Sequence, residues 1–468
     1  MAGCEFGQTV DLVARLDLNM KMRCSILQLP TELHTRIAYY LLKSEMISLM
    51  SCCSGLNSAY RWMLYDNLKF DIVLNESYEP SSAMAMIESL ASAYYIPSRS
   101  MAFRIRSDSD KIIPNRVEHI KSIIFRILSK IPEGYLETLE LAVPWSLDDG
   151  FGSVISSHRN LTSLNICAQD FRRKTHPEHA ETADLIEWKF PCLENLHLDF
   201  PRTNYGVSIT SSILRSAPQL SRIHIQFRSF QEASVNFSDL LQSLANQNPR
   251  DLYLGGIDLN SLRAKYWNRW TNFAISDCQN ISSIVPLTSR RYLKRLTIQG
   301  WRTQTLEVAG ILNNLQPGLE GLSLVLNNDT DEEIADSAIN DEILLKHQHS
   351  LKSLHIDVPK YRDCFSQVLL LRQFKEISEF GLAIDSDQIT LEFIDGWYPF
   401  IADLAKIKSL YIIQSSIHAQ KKPSWAQMSQ GKHRLLQNVV QWLCHTLFYP
   451  RAPSWEMPYI WWIYPERA

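Results

Sequence analysis

The chain has 468 residues, of which 45% are hydrophobic and 21% charged, and its formal net charge is -3. This is the composition of a folded protein with apolar material for a large core. The nearly balanced charge excludes a strongly basic nucleic-acid-binding protein. The first residues lack the apolar core of a secretory signal, and no window holds the roughly 18 apolar residues of a membrane span. We therefore expect an intracellular protein, cytoplasmic and/or nuclear, with neither membrane nor nucleic acid as partner.

The motifs of common active sites and metal sites are missing from the sequence. The nine cysteines are scattered without a Cys-x-x-Cys pair, which favours reduced thiols over disulfides or zinc. His176 and His179 flank a proline instead of forming the H-E-x-x-H helix of zinc proteases. The acidic run 329–333 lacks the glycine and the distant glutamate of a calcium loop. We expect no enzyme activity, no metal and no cofactor.

The chain begins with an N-terminal tail, predicted over 1–25, and a small helical module, predicted over 26–66. Pro30 stands just ahead of the first predicted helix, and Gly55 separates the second from the third. The helices are predicted at roughly 31–42, 45–53 and 55–65. A fold of about forty residues is marginally stable by itself, so part of its apolar surface is expected to bind a partner.

The module resembles an F-box, whose pattern opens Leu-Pro-x-Glu-(Leu/Ile) and continues with apolar residues four and eight positions later. The sequence meets this pattern at Leu29, Pro30, Glu32, Leu33, Ile37 and Leu41. It departs at His34, where the family has an aliphatic residue, and at Leu56, where an aromatic is common. F-box proteins bind the adaptor of SCF ubiquitin ligases and, through it, the cullin and RING subunits. By position, the resemblance implies these adaptor-binding residues: Leu29, Pro30, Glu32, Leu33, Ile37, Leu41, Leu49, Cys52 and Leu56.

Residues 67–135 follow, and they are predicted to be either early repeats or a linker to the repeat region. Leu68–Leu74 and Met101–Arg106 have the alternation of strands. Helical stretches at 82–94 and 115–130 come after them. The spacing of near 33 residues between the two copies is compatible with a repeating strand–helix unit.

From 136 to 415 a pattern of the form L-x-x-L-x-L returns eleven times, with middle positions between 21 and 32 residues apart. The last part of each copy alternates, which marks a short strand with one buried face. Helical stretches between the strands are predicted at Ile209–Arg215, Ser238–Leu244, Leu306–Leu315 and Phe365–Phe374. One strand and one helix cannot bury an apolar side alone, so the units must stack. The copies resemble irregular leucine-rich repeats, which implies an α/β solenoid with parallel strands on the concave side and helices on the convex side.

The concave face of such a solenoid is the expected target-binding surface, since the outward strand residues of successive repeats lie side by side. The candidates are Asn195, His197, Arg222, His224, Arg295, Gln299 and His355. Their Arg and His content suggests an acidic or phosphorylated peptide. Two alternatives stay open: the polar residues face solvent without a ligand, or the loop Gln169–Thr182 binds the target instead.

The C-terminal segment 416–468 is expected to cover the end of the solenoid. Residues 433–447 have apolar residues at helical spacing, which predicts a capping helix. The aromatic stretch 454–464 is expected to pack against this cap, or else to act as a linear motif for a partner.

The order of module and repeats resembles F-box/leucine-rich-repeat proteins. This implies a substrate-recognition subunit of an SCF-type ubiquitin ligase, which holds an unknown target protein near chemistry performed by other subunits. The alternative is a non-catalytic leucine-rich-repeat scaffold with a degenerate or ubiquitination-independent F-box.

Overall fold

The structure is a computed structural model of the chain. It describes residues 26, 29–74, 82–94, 96, 98–107, 114–145, 147, 149–168, 188–228, 235–260, 270–284, 292–300, 305–326, 339, 341–358, 364–384, 409–414 and 460–463. The chain divides into two compact units, Met1–Glu140 and Leu141–Ala468, which are described separately.

The first unit opens with three helices and continues with two strand–helix pairs. Its elements are α1 (Thr31–Tyr40), α2 (Lys43–Cys52), α3 (Ser54–Tyr65), β1 (Asn67–Leu74), α4 (Ser82–Ser92), β2 (Ser100–Ser107) and α5 (Pro114–Leu128). Strands β1 and β2 pair in parallel. Their register sets Phe70 beside Phe103, with the two rings stacked at 5.3 Å between centroids. Strands and helices thus occur where the sequence patterns of 68–130 predict them.

The three helices share a small apolar core of their own. Its buried members are Ala38, Met46, Met50, Leu56 and Tyr60. The carboxylate of Glu45 accepts a hydrogen bond from the backbone N–H of Leu42 at 2.7 Å, which satisfies a donor at the start of α2. Helix α1 ends at Tyr40, two residues before the predicted end, because Leu41 has an extended backbone.

The second unit repeats the strand–helix pattern. Its strands are β4 (Ser163–Ala168), β5 (Asn195–Pro201), β6 (Arg222–Arg228), β7 (Asp251–Gly255), β8 (Asn272–Ser276), β9 (Arg295–Gly300), β10 (Gly321–Leu326), β11 (Ser353–Asp357), β12 (Glu379–Ile384), β13 (Ser409–Gln414) and β14 (Ile460–Ile463). Each pairs in parallel with the next one along the chain. Strand β3 (Thr138–Val143) spans the boundary between the two units.

Helices connect many of these strands. They are α6 (Asp149–Ser157), α7 (Asn204–Ser216), α8 (Ser238–Ala245), α9 (Thr305–Asn314), α10 (Asp341–Leu345) and α11 (Cys364–Leu371), with a 3-10 turn at Ile281–Ile284. All four helices predicted from the repeat region are present. The hydroxyl of Thr203 caps α7 by accepting from the N–H of Gly206 at 3.1 Å.

Alternation in the sequence explains the two faces of the sheet. In β6, Ile223, Ile225 and Phe227 are at most 2% exposed, while the residues between them are half-buried. The buried side joins a core to which α7 and α8 contribute Ile213, Leu214, Leu240 and Leu244. Full burial of such side chains stabilises the fold by about 1.5–3 kcal/mol each. The prediction of an α/β fold with a parallel sheet is confirmed.

The C-terminal segment differs from the prediction in one described element. Ile460–Ile463 forms a strand paired in parallel with β13, whereas the sequence predicts packing against a cap or a linear motif for a partner. Two β-branched and two tryptophan residues favour this conformation. The predicted cap helix 433–447 and the loop Gln169–Thr182 lie outside the described residues, as do His176, His179 and the run 329–333.

Candidate recognition surfaces

The adaptor-binding candidates of the helical module differ in exposure. Pro30 and Cys52 are exposed, and Leu33 is 41% exposed. The half-buried candidates are Leu29, Ile37, Leu41 and Leu49. Leu56 is only 5% exposed and belongs to the core of the module, so it supports the helices and offers no surface for direct contact. The side chain of Glu32 lies outside the described residues.

The module exposes further apolar side chains that the pattern did not single out. Tyr40 is 80% exposed, Leu42 67% and Ile47 56%. Ile47 follows the buried Met46 in α2, and successive helical residues point about 100° apart, so one faces the core and the next faces outward. Helical spacing applied to Met46 and Met50 identifies Ile47 as a surface residue from sequence alone.

The unusual His34 is held by a partner inside the module. Its Nδ1 lies 2.9 Å from the hydroxyl of Tyr60, and the two rings meet edge to face at 5.1 Å. His34 is 6% exposed and Tyr60 0%. Burial raises the pKa of Tyr60, so its phenol keeps its proton at neutral pH. A buried hydrogen bond therefore holds the histidine at the position where the F-box pattern has an aliphatic residue.

In the second unit, the parallel register sorts the outward strand residues into three rows that run across β5–β9. The arginine row is Asn195, Arg222, Asp251, Asn272 and Arg295. The ring row is His197, His224, Tyr253, Ala274 and Thr297. The glutamine row is Asp199, Gln226, Gly255, Ser276 and Gln299. We call the surface that carries these rows the open face.

The ring row contains three stacked rings. The centroids of His197 and His224 are 3.9 Å apart with planes at 13°, and those of His224 and Tyr253 are 3.9 Å apart with planes at 12°. The hydroxyl of Tyr253 donates to Oε1 of Gln226 at 2.9 Å, which fixes the last ring of the stack. Adjacent strands of a sheet lie about 4.8 Å apart, so flat side chains at matching positions reach stacking distance without distortion.

The protonation state of this stack changes the expected chemistry of the surface. Burial, together with the charge of His197, lowers the pKa of His224 to about 3. Burial raises the pKa of Tyr253. Both rings are thus uncharged at neutral pH, and His224 cannot supply the positive charge expected for an acidic or phosphorylated peptide. Burial also lowers the pKa of His355, against an opposing effect of Asp357.

The positive charge of the face lies in the arginine row. Nε of Arg222 is 3.4 Å from Oδ2 of Asp251, whose other oxygen accepts from Nδ2 of Asn272 at 2.6 Å. Arg295 is exposed and forms no ion pair with any residue that the structure describes. Arg222 is therefore partly compensated by Asp251, whereas Arg295 is an exposed arginine without an ion pair among the described residues.

Glycines leave room for long side chains on this face. A Cβ on Gly255 would lie 1.8 Å from Oε1 of Gln226, and one on Gly321 would lie 3.1 Å from Cγ of Arg295. A Cβ on Gly381 would lie 2.8 Å from Cδ2 of His355. In each pair the glycine lies on the strand that follows the strand of the long side chain, and the long side chain extends over the glycine.

The arginine and ring rows together line a groove of about 710 Å³. Five of the predicted target-binding residues line it: Asn195, His197, Arg222, His224 and Arg295. Gln299 and His355 do not line the groove. His355 lies on β11, two strands beyond β9, and its Nδ1 is 3.0 Å from the hydroxyl of Ser323. Tyr253 and Ala274 line the groove but were missed, although alternation around Leu252 and Phe273 marks both as outward residues.

Neither a metal cluster nor a membrane-spanning helix occurs among the described residues. No group of three or more His, Cys, Asp or Glu side chains in this part of the chain is placed to hold a metal ion. Among the same residues, no helix combines the length and apolarity needed to cross a bilayer.

Comparisons with known proteins assign no family to the chain. No family profile matches the chain, and no curated protein matches it. A similar solved structure is that of the leucine-rich repeat-containing protein LegL7 from Legionella pneumophila, with a TM-score of 0.33 and 12% identity over 82% of this chain and 98% of that one. Similarity at this level carries no argument about function. The parallel sheet and its alternating strands and helices are themselves consistent with a leucine-rich-repeat solenoid, an architecture suited to protein interaction.

Proposed function

We propose that the chain is a substrate-recognition subunit of an SCF-type ubiquitin ligase. The helical module binds the adaptor, and the open face binds the target. The observation that carries the proposal is a three-helix module with exposed apolar side chains that precedes, in the chain, a repeat sheet with a polar groove. The chain itself performs no bond chemistry. It raises the effective concentration of the target near the ubiquitin-carrying enzyme.

The exposed apolar residues of the module are the main support for adaptor binding. Leu33, Leu42 and Ile47 would each contribute up to about 1.5–3 kcal/mol on full burial. Association costs about 4–15 kcal/mol in lost freedom of motion. The summed burial free energy of these three side chains reaches only the lower end of the association cost. Burial of Tyr40 and of the exposed part of the half-buried candidates must therefore contribute to binding as well.

Co-purification of the full chain with the purified SCF adaptor tests this assignment. The variants Leu33→Asp and Ile47→Asp should each reduce the bound adaptor at least tenfold, since a carboxylate in an apolar contact loses its hydration without compensation. Leu306→Asp is the matched control, because Leu306 is 62% exposed on a helix of the second unit. It should bind the adaptor like the wild type.

Failure of the wild-type chain to bind any SCF adaptor would refute the proposal. Adaptor binding without cullin-dependent ubiquitination of a bound partner would instead favour the scaffold alternative. Equal losses in Leu33→Asp and Leu306→Asp would show that the effect does not come from the module surface.

A further inference from the structure

The ring stack of the open face ends at Tyr253, next to a small residue. The neighbour of Tyr253 in the ring row is Ala274 on β8, followed by Thr297 on β9. Two strand spacings separate Tyr253 from Thr297, which is about 9.6 Å. Within the described ring row, the side chain between them is the methyl group of Ala274. The result is a slot between Tyr253 and Thr297, and all three residues line the groove.

The orientation of the rings directs one face of Tyr253 into this slot. Successive ring centroids are 3.9 Å apart and the planes are nearly parallel, so the stacking axis runs across the strands. One face of Tyr253 is occupied by His224, and the opposite face must therefore point toward β8. Among the described residues, no other ring packs on that second face. Its hydroxyl bond to Gln226 holds the ring in this orientation.

The charges around the slot restrict what can enter it. Asn272 and Arg295 lie beside it in the arginine row, and the carboxylate of Asp251 is already engaged by Arg222 and Asn272. The exposed cation nearest in register is Arg295, one strand beyond Ala274, and its side chain leans away from the slot, over Gly321 on β10. It therefore lies where it can attract a carboxylate next to the residue in the slot, while the slot itself takes a neutral ring.

We propose that the slot over Ala274 receives an aromatic side chain of the target protein, which stacks on Tyr253 as the fourth ring of the row. An acidic residue next to that aromatic pairs with Arg295. This inference rests on the proposed role of the open face in target binding and specifies the class of target segment. A width of two strand spacings has room for a planar ring, because non-bonded carbon atoms approach to about 3.5–4.0 Å on each side of it.

Short synthetic peptides with a fluorescent label test the proposal on the purified full chain. The central residue is Trp, Tyr, Phe, Leu or Ala, and its neighbour is Asp, Ser or Lys. Anisotropy titrations should give aromatic–Asp peptides an affinity about two- to tenfold higher than Leu–Asp peptides. An oligothymidine strand is measured in parallel. Equal affinity for aromatic and Leu peptides, or tighter binding of the oligonucleotide, overturns the proposal.

Matched variants locate the binding site. Ala274→Leu fills the slot and should abolish the aromatic preference. Asn165→Leu is the control, because Asn165 pairs with His197 at the opposite end of the stack and the slot stays open. Arg295→Gln should remove the preference for Asp over Ser and keep the preference for rings. A preference that survives Ala274→Leu, or that Asn165→Leu also removes, shows that the slot is not the site.

The adaptor experiment separates this inference from the proposed function. Ala274→Leu leaves the helical module unchanged, so it should still co-purify with the adaptor. Loss of the ring preference with intact adaptor binding supports both statements. Absence of any ring preference with intact adaptor binding refutes only the slot. A ring preference in a chain that binds no adaptor refutes only the ligase assignment.

Discussion

The hydrogen bond between His34 and Tyr60 gives a stability prediction that can be worked out in detail. Tyr60→Phe removes the hydroxyl and leaves Nδ1 of His34 buried without its partner. An unsatisfied buried polar group costs about 1–3 kcal/mol. With a urea slope of about 2 kcal/mol/M, the unfolding midpoint of the helical module should fall by about 0.5–1.5 M. His34→Leu should cost a similar amount, because it leaves the hydroxyl unpaired.

The double variant distinguishes a hydrogen bond from simple loss of packing. With Leu at 34 and Phe at 60, neither polar group remains, so the cost should be smaller than the sum of the single costs by about 1–2 kcal/mol. Hydrogen exchange measured by mass spectrometry on peptides from 31–65, at a series of urea concentrations, reports this module specifically.

The control is Tyr65→Phe, the same chemical change at the end of the same helix. Tyr65 is half-buried and its hydroxyl makes no hydrogen bond with the described residues, so the change should alter the stability by no more than about 0.5 kcal/mol. Additive effects of the two single variants, or a neutral Tyr60→Phe, would refute the idea that the histidine is held by this bond.

Three further predictions concern the second unit. Gly256→Ala should lower the melting temperature strongly, because φ is +68° there and a Cβ would lie 2.0 Å from the carbonyl oxygen of Phe227. Gly318→Ala is the control: its φ is also positive, but no atom would lie within contact of the Cβ, so the melting temperature should fall less. His224 stays neutral in the folded chain until the pH approaches its pKa of about 3, whereas in the unfolded chain it binds a proton near pH 6.5. The wild-type chain should therefore lose stability as the pH falls from about 7 to about 4. His224→Phe should reduce this loss, as measured by urea titrations at each pH. Cys278 should resist maleimide labelling while Cys53 reacts, as read by peptide mass spectrometry; burial raises the pKa of the Cys278 thiol to about 12, and Cys53 is exposed.

The sequence predicted the repeats well because burial leaves a periodic signature. Alternation around Ile223 and Ile225, or around Leu354 and Ile356, identifies strands and their inner faces without knowledge of the tertiary structure. The helices that follow the strands were predicted in the same way, because a helix that packs on a sheet has apolar residues at helical spacing on one side. The candidates that line the groove, such as Arg222 and His224, were found in this way.

What the sequence could not give is the orientation of each side chain relative to its neighbour on the next strand. Alignment of the apolar positions of the repeats places His224, Tyr253 and Ala274 side by side, but it does not reveal that the rings are parallel. Both the stacking and the slot depend on these orientations. The exclusion of His224 as a cation also needed the structure, since its pKa depends on burial beside His197.

The glycines of the open face have an evolutionary consequence. Gly255, Gly321 and Gly381 each leave the space into which the long side chain of the preceding strand extends. A larger residue at Gly255 displaces the amide end of Gln226, 29 positions earlier, and with it the acceptor that holds the hydroxyl of Tyr253. A larger residue at Gly321 presses on the stem of Arg295. Homologous chains that lose one of these glycines should therefore also differ at the long side chain of the preceding strand.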